Sequence, residues 1–289
     1  MMFSTIFEEF GLPLKLALHR NVQAAIEEDL GHCDYTGLLL TPGQVCRARL
    51  LCREQAIVCG QPWFNLVFQW LCPDVQINWF YHEGEVVYEN SVLCEVIGTA
   101  QQVLTAERSA MNFLQCLSAV ATQTHRCVQV VQGTSAKILD TRKTIPGLRL
   151  AQKYAVRVGG GYNQRLALYD GILIKENHII AAGGIQQAFE RAQRVIIPSV
   201  SLQIEVESLA ELEQALAVGF KSILLDNFTH DALAQAVKLN RGRAILEASG
   251  GVNLNTLRKI AETGVDRISI GSLTKNISAI DFSLRLLED

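Results

Sequence analysis

The pattern of hydrophobic and polar positions divides the chain into two halves of different character. The first half begins with a predicted helix over residues 14–31, which Gly31 would end. Strand-like alternation follows over residues 45–59, 75–81 and 86–98, around the helical segment WFNLVFQWL. Helical spacing then returns from residue 101 to about 132 and predicts a helix that bridges the two halves. The pattern of the first half predicts a small α+β domain.

Beyond this helix, a short β-branched run followed by an amphipathic helix occurs six times. The runs end at Asp140, at Lys175, at Glu205 with Glu207, at Asp226, at Glu247 with Ser249, and at Gly271. From Glu205 onward the ends lie 21, 21 and 24 residues apart, which is the length of one strand, one helix and two turns. The rhythm predicts parallel strands. It favours an α/β barrel, with an open doubly wound sheet as the alternative.

In a barrel, the carboxyl ends of the strands form one rim, where catalytic groups collect. The predicted rim carries Asp140, Arg142, Lys143, Lys175, Glu205, Asp226, Ser249 and Gly271. Lys175 ends an otherwise apolar strand, and a ligand explains it better than an unpaired buried lysine does. Glu205 and Asp226 hold equivalent positions in successive units, which suits a shared Mg²⁺ or ribose hydroxyls. The plainer alternative for both carboxylates is pairing with neighbouring lysines.

Charge is distributed unevenly along the chain. The net charge is −3, yet residues 137–175 contain eight Lys or Arg and only two Asp. A cationic segment that is interleaved with glycine indicates a small polyanionic ligand rather than nucleic acid or a membrane surface. Arg149, Lys153 and Arg157 stand at helical spacing, so we expect them on a solvated helix face. The glycines at 159–161 would let backbone amides approach an anion or position Arg165.

Cysteine usage and hydropathy indicate the compartment. The eight cysteines lie at irregular spacings without a CxxC pair, so we expect reduced packing residues rather than disulfides or metal ligands. No stretch has the roughly 18 uninterrupted apolar residues of a membrane helix. The start, MMFSTIFEEFGL, lacks the basic flank and cleavage site of a signal peptide. These features predict a cytoplasmic protein.

Six segments of the chain closely resemble the quinolinate phosphoribosyltransferase family. They are ERSAMNFLQCLSAVAT, DTRKTIPGLR, KYAVRVGGGYNQR, LIKENHI, LLDNF and EASGGV. The order and spacing from DTRKT to KENH carry most of the specificity, and the resemblance spans nearly the whole chain. It implies transfer of phosphoribose from phosphoribosyl pyrophosphate to the ring nitrogen of quinolinate. Pyrophosphate and CO₂ would leave, giving nicotinate mononucleotide for NAD biosynthesis.

The resemblance also implies roles for residues at matching positions. The catalytic residues would be Lys143, Lys175, Glu205 and Asp226. Quinolinate, a dianion, would be bound by Arg108, Arg142, Lys143, Arg165 and Lys175, and Thr141 and Gln164 would also be substrate-binding residues. Glu205 and Asp226 would hold the ribose hydroxyls and Mg²⁺ of the second substrate. Its 5′-phosphate would lie against Ser249, Gly250, Gly251 and Gly271. The resemblance implies no organic cofactor.

One position departs from the family pattern. Similar sequences usually have histidine before the arginine of the glycine-rich segment, whereas this chain has Gln164. A glutamine can donate to a carboxylate, but it supplies no positive charge and cannot shuttle a proton. We therefore expect the affinity for quinolinate, or its pH dependence, to differ.

The resemblance further implies a domain organisation and an assembly. An N-terminal α/β sandwich would cover residues 1–114 and be rejoined by 276–289, and an incomplete barrel with fewer than eight strands would cover 115–275. The protein would form a homodimer with shared active sites, or a higher oligomer. Arg108 would enter the barrel of the partner subunit. Its plainer alternative is an exposed helix arginine paired with Glu107.

Three other functions remain open at this point. The first is a related phosphoribosyltransferase for nicotinate or another monocarboxylate, although five cations exceed what one carboxylate needs. The second is a Schiff-base barrel enzyme that uses Lys175, which borohydride trapping with a carbonyl substrate would reveal. The third is a catalytically silent ligand-binding paralogue, which would bind the substrates without turnover.

Overall fold

The computed structural model describes residues 2–288 and divides into two compact units. The first unit contains the chain up to His125, the segment Ile145–Gly160 and the residues from Thr274 onward. The second contains Arg126–Thr144 and Gly161–Leu273. The chain therefore leaves the first unit twice and returns to it twice.

The helices and strands are numbered in chain order. The helices are α1 (Met2–Leu30), α2 (Gln61–Leu71), α3 (Ala100–Val130), α4 (Arg149–Val158), α5 (Glu176–Ala182), α6 (Ile185–Val195), α7 (Leu209–Val218), α8 (His230–Asn240), α9 (Leu254–Glu262) and α10 (Ser272–Lys275). The strands are β1 (Val45–Cys52), β2 (Ala56–Ile57), β3 (Gln76–Trp79), β4 (Val86–Val87), β5 (Val92–Thr99), β6 (Lys137–Leu139), β7 (Gly171–Ile174), β8 (Ser201–Val206), β9 (Ser222–Asp226), β10 (Ile245–Ser249), β11 (Arg267–Ser269) and β12 (Phe282–Leu286). A single 3₁₀ turn covers Gly37–Leu39.

The first unit is built on an antiparallel sheet with the strand order β12-β1-β5-β3, beside a short β2-β4 pair. The last strand of the chain, β12, pairs along β1, with Leu284 opposite Leu50. Helix α2 contributes Trp63, Phe64 and Phe68, which are fully buried in the core of this unit. The C-terminal segment is therefore an integral strand of the first unit.

Two of the predicted strands are interrupted in the structure. The stretch 45–59 forms β1 and β2, and the stretch 86–98 forms β4 and β5. Asn90 explains the second interruption, because it adopts a left-handed conformation (φ 65°) in the turn between the strands. Helix α1 begins well before the predicted residue 14 and is kinked at Gly11, whose φ is +60°.

The second unit contains a parallel sheet of six strands in the order β6-β11-β10-β9-β8-β7. From β7 to β11 each strand lies beside its predecessor, and β6 continues the series after β11. This order lacks the reversal that defines a doubly wound sheet. It is the order of a barrel that is open between β6 and β7, so the prediction of an incomplete α/β barrel is confirmed.

Apolar strand residues form the core of the second unit, and polar residues follow at the strand ends. In β9, Ile223, Leu224 and Leu225 are buried, whereas the terminal Asp226 is half-buried. Several of the helices that follow the strands begin at a residue whose side chain caps the helix. For example, Ser208 accepts from the backbone of Glu211 at the start of α7. This alternation places polar side chains at the carboxyl ends of the strands.

The boundary between the units lies at His125, further along the chain than residue 115, where the sequence pattern changes. Helix α3 is continuous across both positions, so hydrophobic periodicity marks neither of them. The segment Ile145–Gly160 also belongs to the first unit, although the sequence analysis placed it in the barrel. Its helix α4 is buried among residues of that unit.

Helix α4 also corrects the expectation of a solvated face at Arg149, Lys153 and Arg157. Arg149 and Arg157 are half-buried, and Lys153 is completely buried. Gly159 follows this helix where a Cβ would collide with the backbone oxygen of Ala121. The first glycine of the GGG segment therefore serves close packing rather than anion binding.

The cysteines and the helix lengths agree with the predictions from composition. All eight cysteines are free thiols. Across residues 2–288, no helix combines the length and the apolar character needed to cross a membrane.

Candidate active site

A cavity of about 230 Å³ lies among the carboxyl ends of the parallel strands. Residues of the second unit line it: Thr141, Arg142, Lys143, Gln164, Arg165, Leu173, Lys175, Glu205, Leu224, Asp226, Glu247, Ser249 and Ser269. Four of these side chains are cationic and three are carboxylic. The cavity therefore suits a ligand that carries several negative charges together with groups that carboxylates can hold.

The segment after β6 supplies two of the cations, Arg142 and Lys143. The hydroxyl of Thr141 accepts a hydrogen bond of 3.0 Å from the backbone N–H of Lys143 and fixes this turn. Gly271, after β11, lies against the Lys143 side chain, because a Cβ there would be 3.2 Å from Lys143 Cδ. Gly271 therefore makes room for the lysine, and it is not itself part of the cavity lining.

Asp140 has a structural position rather than a place in the cavity. It is completely buried, and its carboxylate accepts hydrogen bonds from Asn163 Nδ2 (2.6 Å) and from the backbone N–H of Gln164 (2.9 Å). These bonds tie the segment that carries Gln164 and Arg165 to the end of β6. The candidate rim residue Asp140 thus positions binding residues and does not line the cavity.

Arg165 is half-buried, and removing a charged guanidinium from water is energetically unfavourable. One terminal nitrogen, Nη1, donates to the backbone oxygen of Gly171 at 2.7 Å, whereas Nε is buried without a hydrogen-bond partner among residues 2–288. Burial lowers the pKa of Arg165, and the nearby Arg142 guanidinium lowers it further. An anionic ligand would relieve both effects.

Lys175 directly follows β7, and Glu205 is the penultimate residue of the neighbouring strand β8. The two form an ion pair, with 2.7 Å between Nζ and Oε2. The plainer alternative of lysine pairing therefore applies to Glu205. The backbone N–H of Lys175 also donates to Nδ1 of His178 at 3.1 Å at the start of α5. His178 thus makes the local helix-start contact that its place in KENH suggests.

Asp226 ends β9, which pairs with β8, so the second carboxylate comes from the strand next to that of Glu205. Its Oδ2 accepts a hydrogen bond of 2.8 Å from the side chain of Asn227. Glu207 is exposed and is not part of the cavity lining. In the described part of the chain, no group of three or more His, Cys, Asp or Glu side chains could hold a metal ion.

The predicted phosphate-binding residues are only partly brought together. Ser249 lines the cavity, whereas Gly250 and Gly251 follow it in the next turn and do not. Gly250 has a φ of +99°, and a Cβ there would overlap the side chain of Asn227. This turn therefore requires glycine for its conformation and for its close contact with Asn227.

Three polar residues in or beside the cavity were absent from the predicted site: Glu247 and Ser269, which line it, and Gln203, which contacts Glu247. Gln164 Nε2 donates to Gln203 Oε1 at 3.0 Å, and Gln203 Nε2 donates to Glu247 Oε2 at 3.0 Å. Glu247 and Ser269 are nearly inaccessible, and both line the cavity. Glu247 and Gln203 are polar residues within otherwise apolar strand runs. This interruption was the sequence signal that could have indicated a polar contact inside the barrel.

Arg108 lies on α3, in the first unit, and is not part of the cavity lining of the second unit. Residues on both sides of it are tied to the end of α1 and the following segment. Thr105 Oγ1 donates to Asp34 at 2.7 Å, and Ser109 Oγ donates to Asp29 at 3.4 Å. Burial raises the pKa of the adjacent Glu107, against the opposing influence of Arg108.

Comparison with known proteins agrees with the family resemblance of the sequence. The model of the N-terminal domain of quinolinate phosphoribosyl transferase matches residues 34–118, and that of the C-terminal domain matches residues 120–285. A probable nicotinate-nucleotide pyrophosphorylase [carboxylating] of Bacillus subtilis is 38% identical over 257 residues, which cover 89% of each chain. A chloroplastic nicotinate-nucleotide pyrophosphorylase [carboxylating] of Arabidopsis thaliana is 35% identical and covers 92% of this chain and 81% of its own.

A solved structure agrees with these sequence relatives. The nicotinate-nucleotide pyrophosphorylase of Francisella tularensis is 43% identical to this chain and superimposes with a TM-score of 0.91. The superposition covers 94% of this chain and 96% of that protein. With both domain models matched in order across most of its length, the chain belongs to the quinolinate phosphoribosyltransferase family.

Proposed function

We propose that this chain transfers phosphoribose from phosphoribosyl pyrophosphate to quinolinate with decarboxylation, giving nicotinate mononucleotide, CO₂ and pyrophosphate for NAD biosynthesis. The observation that carries the proposal is the cavity in which Arg142, Lys143, Arg165 and Lys175 converge beside two carboxylates. Quinolinate has two adjacent carboxylates, and four cationic side chains around a cavity of about 230 Å³ suit such a dianion. Family membership supplies the reaction.

In this proposal the cations bind quinolinate and fix its ring. Arg165 is a strong candidate among them, because it lines the cavity and an anion there would offset the burial of its guanidinium. Arginine can bind a carboxylate with two parallel hydrogen bonds, whereas lysine acts as a point charge. Thr141 and Gln164 add neutral donors. Together these residues would hold the ring nitrogen in line with the ribose carbon, which is mainly a positioning task.

Glu205, Asp226 and the Ser249 turn are assigned to phosphoribosyl pyrophosphate. Two carboxylates from neighbouring strands fit Mg²⁺ that arrives with a polyphosphate, because Mg²⁺ keeps several waters and takes substrate oxygens as ligands. When bound, Mg²⁺ would neutralise charge on the departing pyrophosphate. The same carboxylates can accept hydrogen bonds from ribose hydroxyls. Ser249, Gly250, Gly251 and Gly271 would lie near the 5′-phosphate.

The chemistry then needs electrostatic stabilisation at two stages. As pyrophosphate leaves, positive charge develops on the ribose ring, and the carboxylates of Glu205 and Asp226 stabilise it. Once the ring nitrogen is quaternary, the carbon next to it can lose CO₂, because the electron pair that remains is stabilised as an ylide. That carbon then takes up a proton from solvent, which gives nicotinate mononucleotide. Lys143 and Lys175 hold the carboxylates during this step, and no organic cofactor is needed.

We also propose that the active enzyme is a homodimer in which Arg108 of the partner subunit completes each site. Hydrogen bonds from Thr105 to Asp34 and from Ser109 to Asp29 hold the helix α3 on both sides of Arg108. The backbone that carries the arginine is therefore fixed in position. The cavity of the second unit is lined without it. In this proposal, the fifth cation implied by the family comes from another copy of the chain.

Incubation of the protein with quinolinate, phosphoribosyl pyrophosphate and Mg²⁺, followed by mass spectrometry, tests the activity. Formation of nicotinate mononucleotide and CO₂ is expected. Efficient use of nicotinate instead of quinolinate would favour the monocarboxylate enzyme, and binding without turnover would favour a silent paralogue. Schiff-base chemistry at Lys175 is disfavoured by its ion pair with Glu205, and borohydride trapping would detect it.

The place of this activity in the cell is also a proposal. We propose the cytoplasm, because all eight cysteines are free thiols, as is usual in a reducing compartment. Fractionation of the source cells, followed by detection of the chain, tests this location. Recovery in an organelle or membrane fraction would contradict it, and the chloroplastic relative makes the organelle a meaningful alternative.

A further inference from the structure

Glu247 is a buried carboxyl group at the base of the cavity that the proposed mechanism does not use. It lies in the middle of β10 between Leu224 of β9 and Arg267 of β11, its partners in the sheet. Only 1% of its surface is exposed, yet it is among the cavity-lining residues. An ionisable group so deep in an anion-binding cavity needs a physical explanation, because an unpaired buried charge is costly.

The two oxygens of Glu247 have different surroundings. Oε2 accepts a hydrogen bond from Gln203 Nε2 at 3.0 Å. Oε1 is buried and has no partner of good geometry within residues 2–288, and the same is true of Oγ of Ser269, which also lines the cavity. Oε1 is therefore the oxygen that a proton would occupy, because Oε2 already serves as an acceptor.

Gln203 connects this carboxyl group to the substrate-binding residues. Because its Nε2 donates to Glu247, its Oε1 is left as an acceptor and receives Nε2 of Gln164 at 3.0 Å. Protonation of Glu247 at Oε1 would leave this arrangement unchanged, since Oε2 still accepts. The chain of amides is thus compatible with both protonation states of Glu247, and only Oε1 changes from an acceptor into a donor.

The charged groups around Glu247 come from several strands. Arg267 on β11 and the polar groups of Gln203 and Ser269 favour the ionised form, but burial outweighs them and raises the pKa of Glu247. The cations and carboxylates that line the same cavity are Arg142, Lys143, Arg165, Lys175, Glu205 and Asp226. A dianionic ligand in this cavity adds two negative charges close to Glu247, which further disfavours the carboxylate form.

We propose that Glu247 takes up a proton from the buffer when quinolinate binds, and that its Oε1–H then donates a hydrogen bond at the base of the cavity. The inference rests on quinolinate being the ligand of this site. Glu247 thereby removes a like-charge repulsion and offers the substrate a neutral donor. Binding of quinolinate is coupled to pH through this residue, in a chain where Gln164 cannot titrate.

Isothermal titration calorimetry with quinolinate tests the proposal. Titrations in HEPES and in Tris, whose protonation enthalpies differ, count the protons taken up for each quinolinate bound. The range from pH 7.0 to 8.5 is chosen because His ordinarily titrates below it and Lys and Arg above it. The α-amino group and the thiols, which titrate within it, are the same in the wild type and in both variants. Wild type is compared with Glu247→Gln, which keeps the size of the side chain and a donor. Glu83→Gln is the matched control, because Glu83 is another buried carboxyl group with a raised pKa, located in the first unit.

The wild-type protein should take up a proton, and its Kd should rise by up to about tenfold for each pH unit. Glu247→Gln should take up none, and its Kd should vary less than about twofold over the range, whereas Glu83→Gln should behave as wild type. Binding without proton uptake by the wild type, or equal uptake by Glu247→Gln, would overturn the inference. The wild-type measurements decide by themselves if Glu247→Gln fails to fold.

Nicotinate mononucleotide formation is assayed in parallel. Turnover without proton uptake would contradict this inference and leave the proposed function intact. Absence of both binding and turnover would sink the proposed function with it.

Discussion

Nζ of Lys175 lies 2.7 Å from Oε2 of Glu205, so the ends of two neighbouring parallel strands are joined by a direct ion pair inside the cavity. Glu205 is only 14% exposed, whereas Lys175 is about half exposed. The pair connects the residues assigned to the two different substrates. A change at Glu205 therefore also changes the charge that Lys175 offers to quinolinate, and Asp226 gives the cleaner test of the carboxylates.

Replacement of Arg142 or Lys143 by alanine should lower kcat/KM for quinolinate about 30-fold to 1000-fold while the protein stays folded. The physical reason is the loss of one charge-assisted contact, about 2 to 4 kcal/mol of transition-state binding. Lys137→Ala is a suitable control, because Lys137 lies at the amino end of the same strand, β6, above the ring of Tyr162. Unchanged activity in either variant would remove that residue from the site.

Asp226→Ala should raise KM for phosphoribosyl pyrophosphate roughly tenfold or more and leave KM for quinolinate within about threefold. Steady-state kinetics with each substrate varied in turn, at several Mg²⁺ concentrations, measure the difference. Glu205→Ala should show the same preference together with a change in quinolinate binding, since it releases Lys175. Glu207→Ala is the control, because Glu207 directly follows β8 but is exposed and does not line the cavity. Equal losses for both substrates in Asp226→Ala would contradict the assignment.

Most of the barrel could be predicted from the sequence, because each strand run and helix carries its own local pattern. The ends of those runs, such as Lys175 and Asp226, were recognisable because polar residues interrupt apolar strands. The contact of Gln203 with Glu247 was not predictable, since it joins two strands that are 44 positions apart and depends on how the sheet curves. The burial of Lys153 was not predicted either, because helical spacing does not reveal that a helix is enclosed on several sides.

Mixing of two inactive variants tests whether the active site is shared between subunits. Arg108→Ala and Lys143→Ala dimers are dissociated together and allowed to reassociate. In a shared site, each mixed dimer has one intact and one doubly defective site, and random reassociation makes about half of the dimers mixed. Roughly a quarter of wild-type activity should return, with subunit exchange verified by mass. No recovery after complete exchange would show that both residues serve the same subunit.

The stability of the protein should decrease between about pH 5 and pH 7 because of Glu83. Its Oε1 accepts hydrogen bonds from the backbone N–H groups of Gly60 (2.8 Å) and Gln61 (2.7 Å), yet burial raises its pKa from 4.5 to about 7. A raised carboxyl pKa means that the folded state binds more protons than the unfolded state in this range. The resulting stabilisation is complete below the unfolded pKa and is lost as the pH rises through 7.

Urea unfolding at pH 5 and pH 8 measures this effect. The wild-type free energy of unfolding should fall by about 3 kcal/mol more than that of Glu83→Gln, in which the titrating group is absent. Gln keeps an oxygen that can accept from Gly60 and Gln61, so the variant preserves the start of α2. The same pH dependence in both proteins would show that Glu83 is not the responsible group.

The two returns of the chain to the first unit limit how this protein can be divided or recombined. The second unit is encoded in two pieces, Arg126–Thr144 and Gly161–Leu273, and the intervening residues belong to the first unit. No single cut in the gene yields a fragment that holds one complete unit and nothing else. Exchange of the catalytic unit between relatives therefore requires four crossover points, or a designed linker in place of Ile145–Gly160. Substrate specificity in this architecture can change more readily by substitution within the cavity than by domain shuffling.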